Sequence, residues 1–180
     1  MIPAEVIVDL STERPPAALT TEICVIGSGC AGATAARRLA EAGHEVVVLE
    51  EGGDFTGPQL TQHGAEMYDQ LYMDRGGRVT EDASISVLQG RVLGGGGVIN
   101  ACDVVPPPDG VLEFWKNKYG LTAFAPEKLR PFVQRAMSDL GASPDRRSPL
   151  NEANKLLERG AQALGYRGEA MMDNRSGCIG

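Results

Sequence analysis

Apolar positions follow two rhythms along the chain. Residues 22–26 are rich in β-branched side chains and are halted by glycine, which predicts a short buried strand. From Cys30 to Ala42 the spacing becomes helical: Ala33, Ala36, Leu39 and Ala40 are apolar, Arg37, Arg38 and Glu41 are left for water, and Gly43 supplies the stop. Residues 44–50 form a second strand whose near-continuous aliphatic run suits a parallel strand covered on both faces. Residues 52–85 are less periodic; a short helix is expected around Glu66 to Tyr72 within a long excursion over a ligand, and residues 85–88 read as a further strand. After Pro106, Pro107 and Pro108 the helical period returns at 111–119, from Pro126 or Pro131 to 140, and at 149–164. Gly120, Gly141 and Gly165 follow those ends, and Leu150, Ala153, Leu156, Leu157, Ala161 and Leu164 trace one apolar face of the last helix. The order predicts an arm at 1–20, an α/β unit at 21–110 and a mostly helical segment at 111–180.

Composition narrows the class. Among 180 residues, 23 are glycine, and they cluster instead of recurring every third position, which excludes a collagen-like chain. With 42% hydrophobic and 23% charged residues there is material for a core and no case for global disorder. The net charge of −7 is uneven: residues 1–110 hold 6 basic and 16 acidic side chains, so the front half is a poor partner for nucleic acid. A local anion site built from backbone N–H groups is still compatible with that charge. No apolar run is long enough to span a bilayer, and the first twenty residues lack the basic start and apolar stretch of a signal peptide, so a cytoplasmic setting is expected. Cys24, Cys30, Cys102 and Cys178 have neither metal-ligand spacing nor an even ladder, which gives no zinc site and no disulfide framework.

The segment Gly27-Ser28-Gly29-Cys30-Ala31-Gly32 matches G-x-G-x-x-G, and its setting gives it weight. It lies between a predicted strand and a predicted helix, a second strand follows, and that strand ends in Glu50, 18 residues after Gly32. Gly27 permits the tight turn, Gly29 lets the backbone approach a pyrophosphate, Gly32 lets helix and strand pack closely, and the helix N-terminus offers N–H groups to phosphate. Glu50 is the candidate acceptor for ribose hydroxyls, with Glu51 or Asp54 as alternatives, and no basic residue follows it to favour a 2′-phosphate. Cys30 reads as a small residue at a helix start.

The motifs V-V-V-L-E-E-G-G at 46–53, G-R-V-L-G-G-G-G-V-I-N at 90–100, V-L-E-F-W at 111–115 and N-R-S-G-C at 174–178 resemble the glucose-methanol-choline (GMC) oxidoreductases, FAD-dependent alcohol oxidases and dehydrogenases. The resemblance runs from about residue 20 to the last residue. It implies a Rossmann-like FAD-binding βαβ domain with a parallel sheet, followed by helices, as a fragment of a larger two-domain fold. It implies that Gly27, Ser28, Gly29, Cys30, Ala31 and Gly32 hold the pyrophosphate and Glu50 the adenosine ribose. It further implies a second loop, from Arg91 through Gly94, Gly95, Gly96 and Gly97, lying against the pyrophosphate and ribityl chain. Asn100 is implied near the flavin ring, and the backbone at Cys102 and Asp103 near its pyrimidine edge. Four glycines followed by a strand-like Val98-Ile99 fit a backbone lying against a flat ligand. No histidine is near this loop, so the FAD is expected to be non-covalent.

Catalysis is assigned to no residue of this chain. The family takes the alcohol proton with a histidine near the C-terminus of a longer chain, and neither His44 nor His63 matches that position. The expected activity is that of an oxidoreductase transferring hydride from a small-molecule alcohol to the flavin, with the catalytic histidine region missing. A nicotinamide-dependent dehydrogenase module and a non-catalytic dinucleotide-binding module are the alternatives.

Overall fold

The computed structural model describes residues 7–12, 18–55, 57–143, 151–168 and 171–175. The remainder of the expected arm, Pro149 and Cys178 lie outside the described residues. The chain forms two compact units, residues 1–100 and 101–180.

The first unit opens with strand β1 (Ile23–Ile26), helix α1 (Cys30–Glu41) and strand β2 (Val46–Leu49). The strands pair in parallel, Ile23 opposite Val46 through Ile26 opposite Leu49, and α1 is the crossover that a parallel pair requires. Gly27 carries the chain out of β1 at φ +93°, a region glycine enters without steric cost. Gly32 explains the small-residue character of α1: a Cβ there would fall 2.0 Å from the Gly27 carbonyl oxygen, so only glycine lets the helix start cross so close to the end of β1.

The expectation that β2 is covered on both faces is not met among the described residues. Val48 and Leu49 keep exposures of 40% and 51%, because a sheet of two strands with one crossover helix has too little material to cover both sides.

Beyond β2 lie helix α2 (Gly64–Leu71) and the four-residue helical turn α3 (Gly96–Ile99). Residues 90–93 are held on both sides. The Leu93 N–H donates to the Gly53 carbonyl (2.9 Å), and the Arg91 N–H donates to the Leu71 carbonyl (2.7 Å). Beneath this segment Val92, Met67 and Leu71 are buried together, with Phe55, Tyr72 and Ile99 packed against them. Two expectations are corrected here. Val98 and Ile99 belong to α3 and not to a strand, because the Gly97 and Val98 N–H groups donate to the carbonyls of Gly94 and Gly95 and coil the run. Residues 85–88 form no strand either; Ser86 alone pairs with Val79, across a turn closed by Thr80, Asp82 and Ser84.

The second unit contains α4 (Asp109–Tyr119), α5 (Pro126–Asp139) and α6 (Glu152–Ala163), close to the expected helices. Gly120 ends α4 in the left-handed region, the Arg130 guanidinium on α5 bonds Asp109 at 3.1 Å, and Asn151 caps α6 by accepting from the Asn154 N–H. Leu112, Ala125 and Pro126 are buried, whereas Leu156 and Leu157 on the apolar face of α6 are exposed.

Two glycines test this reading in opposite directions. Gly52→Ala would put a Cβ 2.1 Å from the Val92 nitrogen and is expected to cost about 3 kcal/mol by overpacking. Gly160→Ala, in the open interior of α6, is expected to add about 0.5–1 kcal/mol. Thermal denaturation of the two variants measures both; a neutral Gly52→Ala contradicts the placement of residues 90–93.

Candidate functional site

The two glycine-rich segments, far apart in sequence, meet in the first unit. A Cβ on Gly95 would lie 2.9 Å from the Gly29 Cα, one on Gly97 would lie 3.1 Å from the Cys30 Sγ, and one on Gly90 would strike the Gly95 carbonyl at 2.5 Å. At Gly95 and Gly90 backbone thus lies directly on backbone, where a Cβ would clash, and Gly97 packs against the Cys30 thiol. Gly94 and Gly95 sustain the turn at φ +97° and +55°.

A cleft of about 310 Å³ opens where these segments meet the end of β2. Gly27, Gly29, Glu50, Arg91, Gly95 and Gly96 line it, with Ile26, Leu49, Glu51, Met73, Gln89 and Gly90. At Gly29 and Gly96 a Cβ would meet nothing within 4 Å, so the backbone there faces open space. The first turn of α1 has no side-chain cap, which leaves its N–H groups without an intrahelical partner. Anions are favoured at such a terminus.

Glu50 is fixed by its surroundings. Its Oε2 accepts from the Ser28 N–H (2.8 Å) and from the Ser28 hydroxyl (2.6 Å), and its Oε1 accepts from the Gly52 N–H (2.8 Å). Burial opposes ionisation of this carboxyl, but the Ser28 hydroxyl and the N–H groups of Gly52, Ser28 and Glu51 outweigh it and hold the carboxyl below its ordinary value. The Ser28 Oγ also accepts from the Gly94 N–H (2.8 Å), so one buried side chain touches all three segments.

A strand, a glycine loop, a helix and a second strand ending in a fixed carboxylate make a dinucleotide-binding arrangement. Comparison with known proteins agrees with it. Residues 25–87 match the NAD(P)-binding Rossmann-like domain, and residues 68–180 match the GMC oxidoreductase family. The chain belongs to the GMC oxidoreductases.

An uncharacterized GMC-type oxidoreductase of Mycobacterium tuberculosis (strain ATCC 25618 / H37Rv) is 34% identical over 179 residues, 98% of this chain and 28% of that protein. The long-chain-alcohol oxidase FAO3 of Arabidopsis thaliana is 29% identical over 167 residues, 93% of this chain and 22% of its own length. The cholesterol oxidase of Mycobacterium tuberculosis (strain CDC 1551 / Oshkosh) is 26% identical over 152 residues, 81% of this chain and 25% of its own. The chain therefore spans no more than 28% of the length of these curated relatives.

Within this GMC chain, the remaining candidates fall in distinct places. Cys30, Ala31 and Gly32 form the first turn of α1, and Gly94 and Gly97 flank the glycines that line the cleft. Asn100 lines a second, apolar cleft of about 270 Å³ beside Met67, Leu71 and the stacked rings of Tyr68 and Tyr72. Asp103 lies in the second unit, in backbone pairing with Asp173. His44 is exposed and 3.3 Å from Glu22, and His63 precedes α2; neither lines a cleft described here. Arg91 sits 3.9 Å from Glu51, with both side chains exposed.

Met73 and Gln89 also line the cleft, although no motif of the sequence contains them. Nothing in their spacing marks them: they reach the cleft because the Met73 N–H donates to the Gln89 carbonyl at 2.8 Å, and because Asp74 and Arg75 turn the chain at φ +51° and +57°. Among the described residues no helix is long and apolar enough to cross a membrane.

The lowered value of Glu50 fixes the sign of an acid dependence. Its contribution to stability is complete above the ordinary carboxyl value and is lost as pH falls through the lowered one. Glu50→Gln is expected to be less stable than the parent at neutral pH, with the gap closing in acid. Denaturant midpoints measured across that range check this, and a gap that is constant with pH contradicts it.

Proposed function

We propose that the first unit binds FAD non-covalently and that the chain is the cofactor-binding portion of a flavin-dependent oxidoreductase acting on the CH–OH group of a small-molecule alcohol. The observation that carries this reading is the cleft in which Gly29, Glu50 and Gly96 come together, with open space at both glycines and a carboxylate fixed by Ser28 and Gly52. These residues fit a dinucleotide: open glycine backbone and the uncapped start of α1 suit a pyrophosphate, and Glu50 suits a ribose hydroxyl.

In this reading Gly27, Gly29, Cys30, Ala31 and Gly32 hold the pyrophosphate, and Gly94, Gly95, Gly96 and Gly97 carry the backbone along the ribityl side. Arg91 borders the same cleft, Ser28 completes the first loop, and Asn100, at the end of the first unit, is assigned the flavin end. When bound, FAD supplies the hydride acceptor. The chain's own part is to bind and orient; none of its residues is assigned the alcohol proton. Names of the relatives point to long-chain and sterol alcohols as the substrate class of the whole protein, and its setting is proposed to be cytoplasmic.

The match of residues 25–87 to NAD(P)-binding Rossmann-like domains favours one second reading, a nicotinamide module. The second glycine turn, at 94–97, lies beyond that match and supports flavin instead.

Titration of the purified chain with FAD and, separately, with NAD⁺, followed by fluorescence, tests both. Saturable binding of FAD and none of NAD⁺ is expected. Glu50→Ala is expected to weaken FAD about tenfold through a lost charged hydrogen bond. Gly29→Val is expected to abolish binding while the protein still melts cooperatively, since its Cβ meets nothing in the free chain. Binding of NAD⁺ in preference to FAD, or full FAD affinity in Gly29→Val, overturns the reading.

A further inference from the structure

We propose that Ser28 is a positioning residue that latches the second glycine turn onto the first, so that the cofactor cleft is formed before any ligand arrives. The position between Gly27 and Gly29 carries a side chain that is buried and uses its hydroxyl in both senses, donating to Glu50 Oε2 at 2.6 Å and accepting from the Gly94 N–H at 2.8 Å. A hydroxyl is the smallest group that can do both. The other hydrogen bonds made by the N–H groups of residues 95–98 stay within the turn: Gly95 to Val92, Gly97 to Gly94 and Val98 to Gly95. The bond to Ser28 therefore spans 66 positions of sequence and ties the turn to the first loop.

The latch also sets the direction of Glu50. Ser28 occupies Oε2 twice, and Gly52 fixes Oε1 from the other side, so the carboxylate enters the cleft in one orientation. Gly95, packed on Gly29 with no side chain to interlock, gains little directional restraint from that contact; the hydrogen bond through Ser28 supplies it. Loss of the hydroxyl frees the turn and removes one of the bonds that orient the carboxylate, which keeps those from the Ser28 and Gly52 N–H groups, although neither Gly94 nor Glu50 is altered.

Amide hydrogen exchange in the ligand-free chain tests this without reference to any cofactor. In Ser28→Ala the Gly94 amide is expected to exchange about tenfold faster, the equivalent of one hydrogen bond. Amides of β1 and α1 are expected to keep their rates. Ser28→Cys, which preserves volume but bonds weakly, is expected to move in the same direction, and Ser28→Thr to restore protection. Unchanged exchange at residues 94–97 in Ser28→Ala overturns the proposal, as does a rise spread equally over β1 and α1 in both the Ala and Cys variants. A second arm rests on the FAD reading: Ser28→Ala is expected to weaken FAD about tenfold, with Thr restoring it. If the exchange pattern holds while FAD fails to bind even the parent, the latch stands and the cofactor reading falls. If FAD binds the parent and Ser28→Ala alike, the latch falls and the cofactor reading stands.

Discussion

Direct contact of backbone on backbone at Gly29 and Gly95 is the constraint from which the site follows. A side chain on Gly95 would need the space that the Gly29 Cα occupies, and the same crowding recurs at Gly90 against Gly95 and at Gly32 against Gly27. Each glycine is required by a different neighbour. Together they bring two loops close enough for one serine hydroxyl to bridge them while it also donates to Glu50. Five of the twelve residues that line the cleft are glycines, so part of its wall is bare peptide backbone, which suits a ligand that carries phosphates.

Support for that contact comes from below. Residues 90–93 run between the segment after β2 and the end of α2, with hydrogen bonds to Gly53 on one side and Leu71 on the other. Val92, fully buried, points the segment into a small core with Met67 and Leu71, so the turn that follows leaves from a fixed point. Packing, backbone pairing and the serine bridge thus act in series: the core fixes Val92, the paired backbone fixes Arg91 and Leu93, and the bridge fixes Gly94.

Much of this was legible in the sequence, and the division follows the range of the forces involved. The order β1, α1, β2 could be read because a strand, a glycine stop, a helix of small residues and a second strand are local patterns within 22–50. Glu50 could be placed because the end of a strand after a glycine loop leaves few other positions for it. The helices at 109–119, 126–139 and 152–163 were legible from their apolar period and their glycine stops. Residues 98 and 99 depart from the strand that valine and isoleucine favour because the glycines before them let local hydrogen bonds coil the run. Met73, Gln89 and the bridge from Ser28 to Gly94 left no sequence signal, since each depends on segments that only the folded chain brings together.

The central claim, that the two glycine segments lie on each other in the ligand-free chain, is most directly tested by nuclear Overhauser measurements between the α-protons of Gly29 and Gly95. A strong cross-peak is predicted, given that a Gly95 Cβ would stand only 2.9 Å from the Gly29 Cα. Absence of that cross-peak, in a sample where the parallel pairing of Ile23–Ile26 with Val46–Leu49 gives its own expected contacts, would contradict the account.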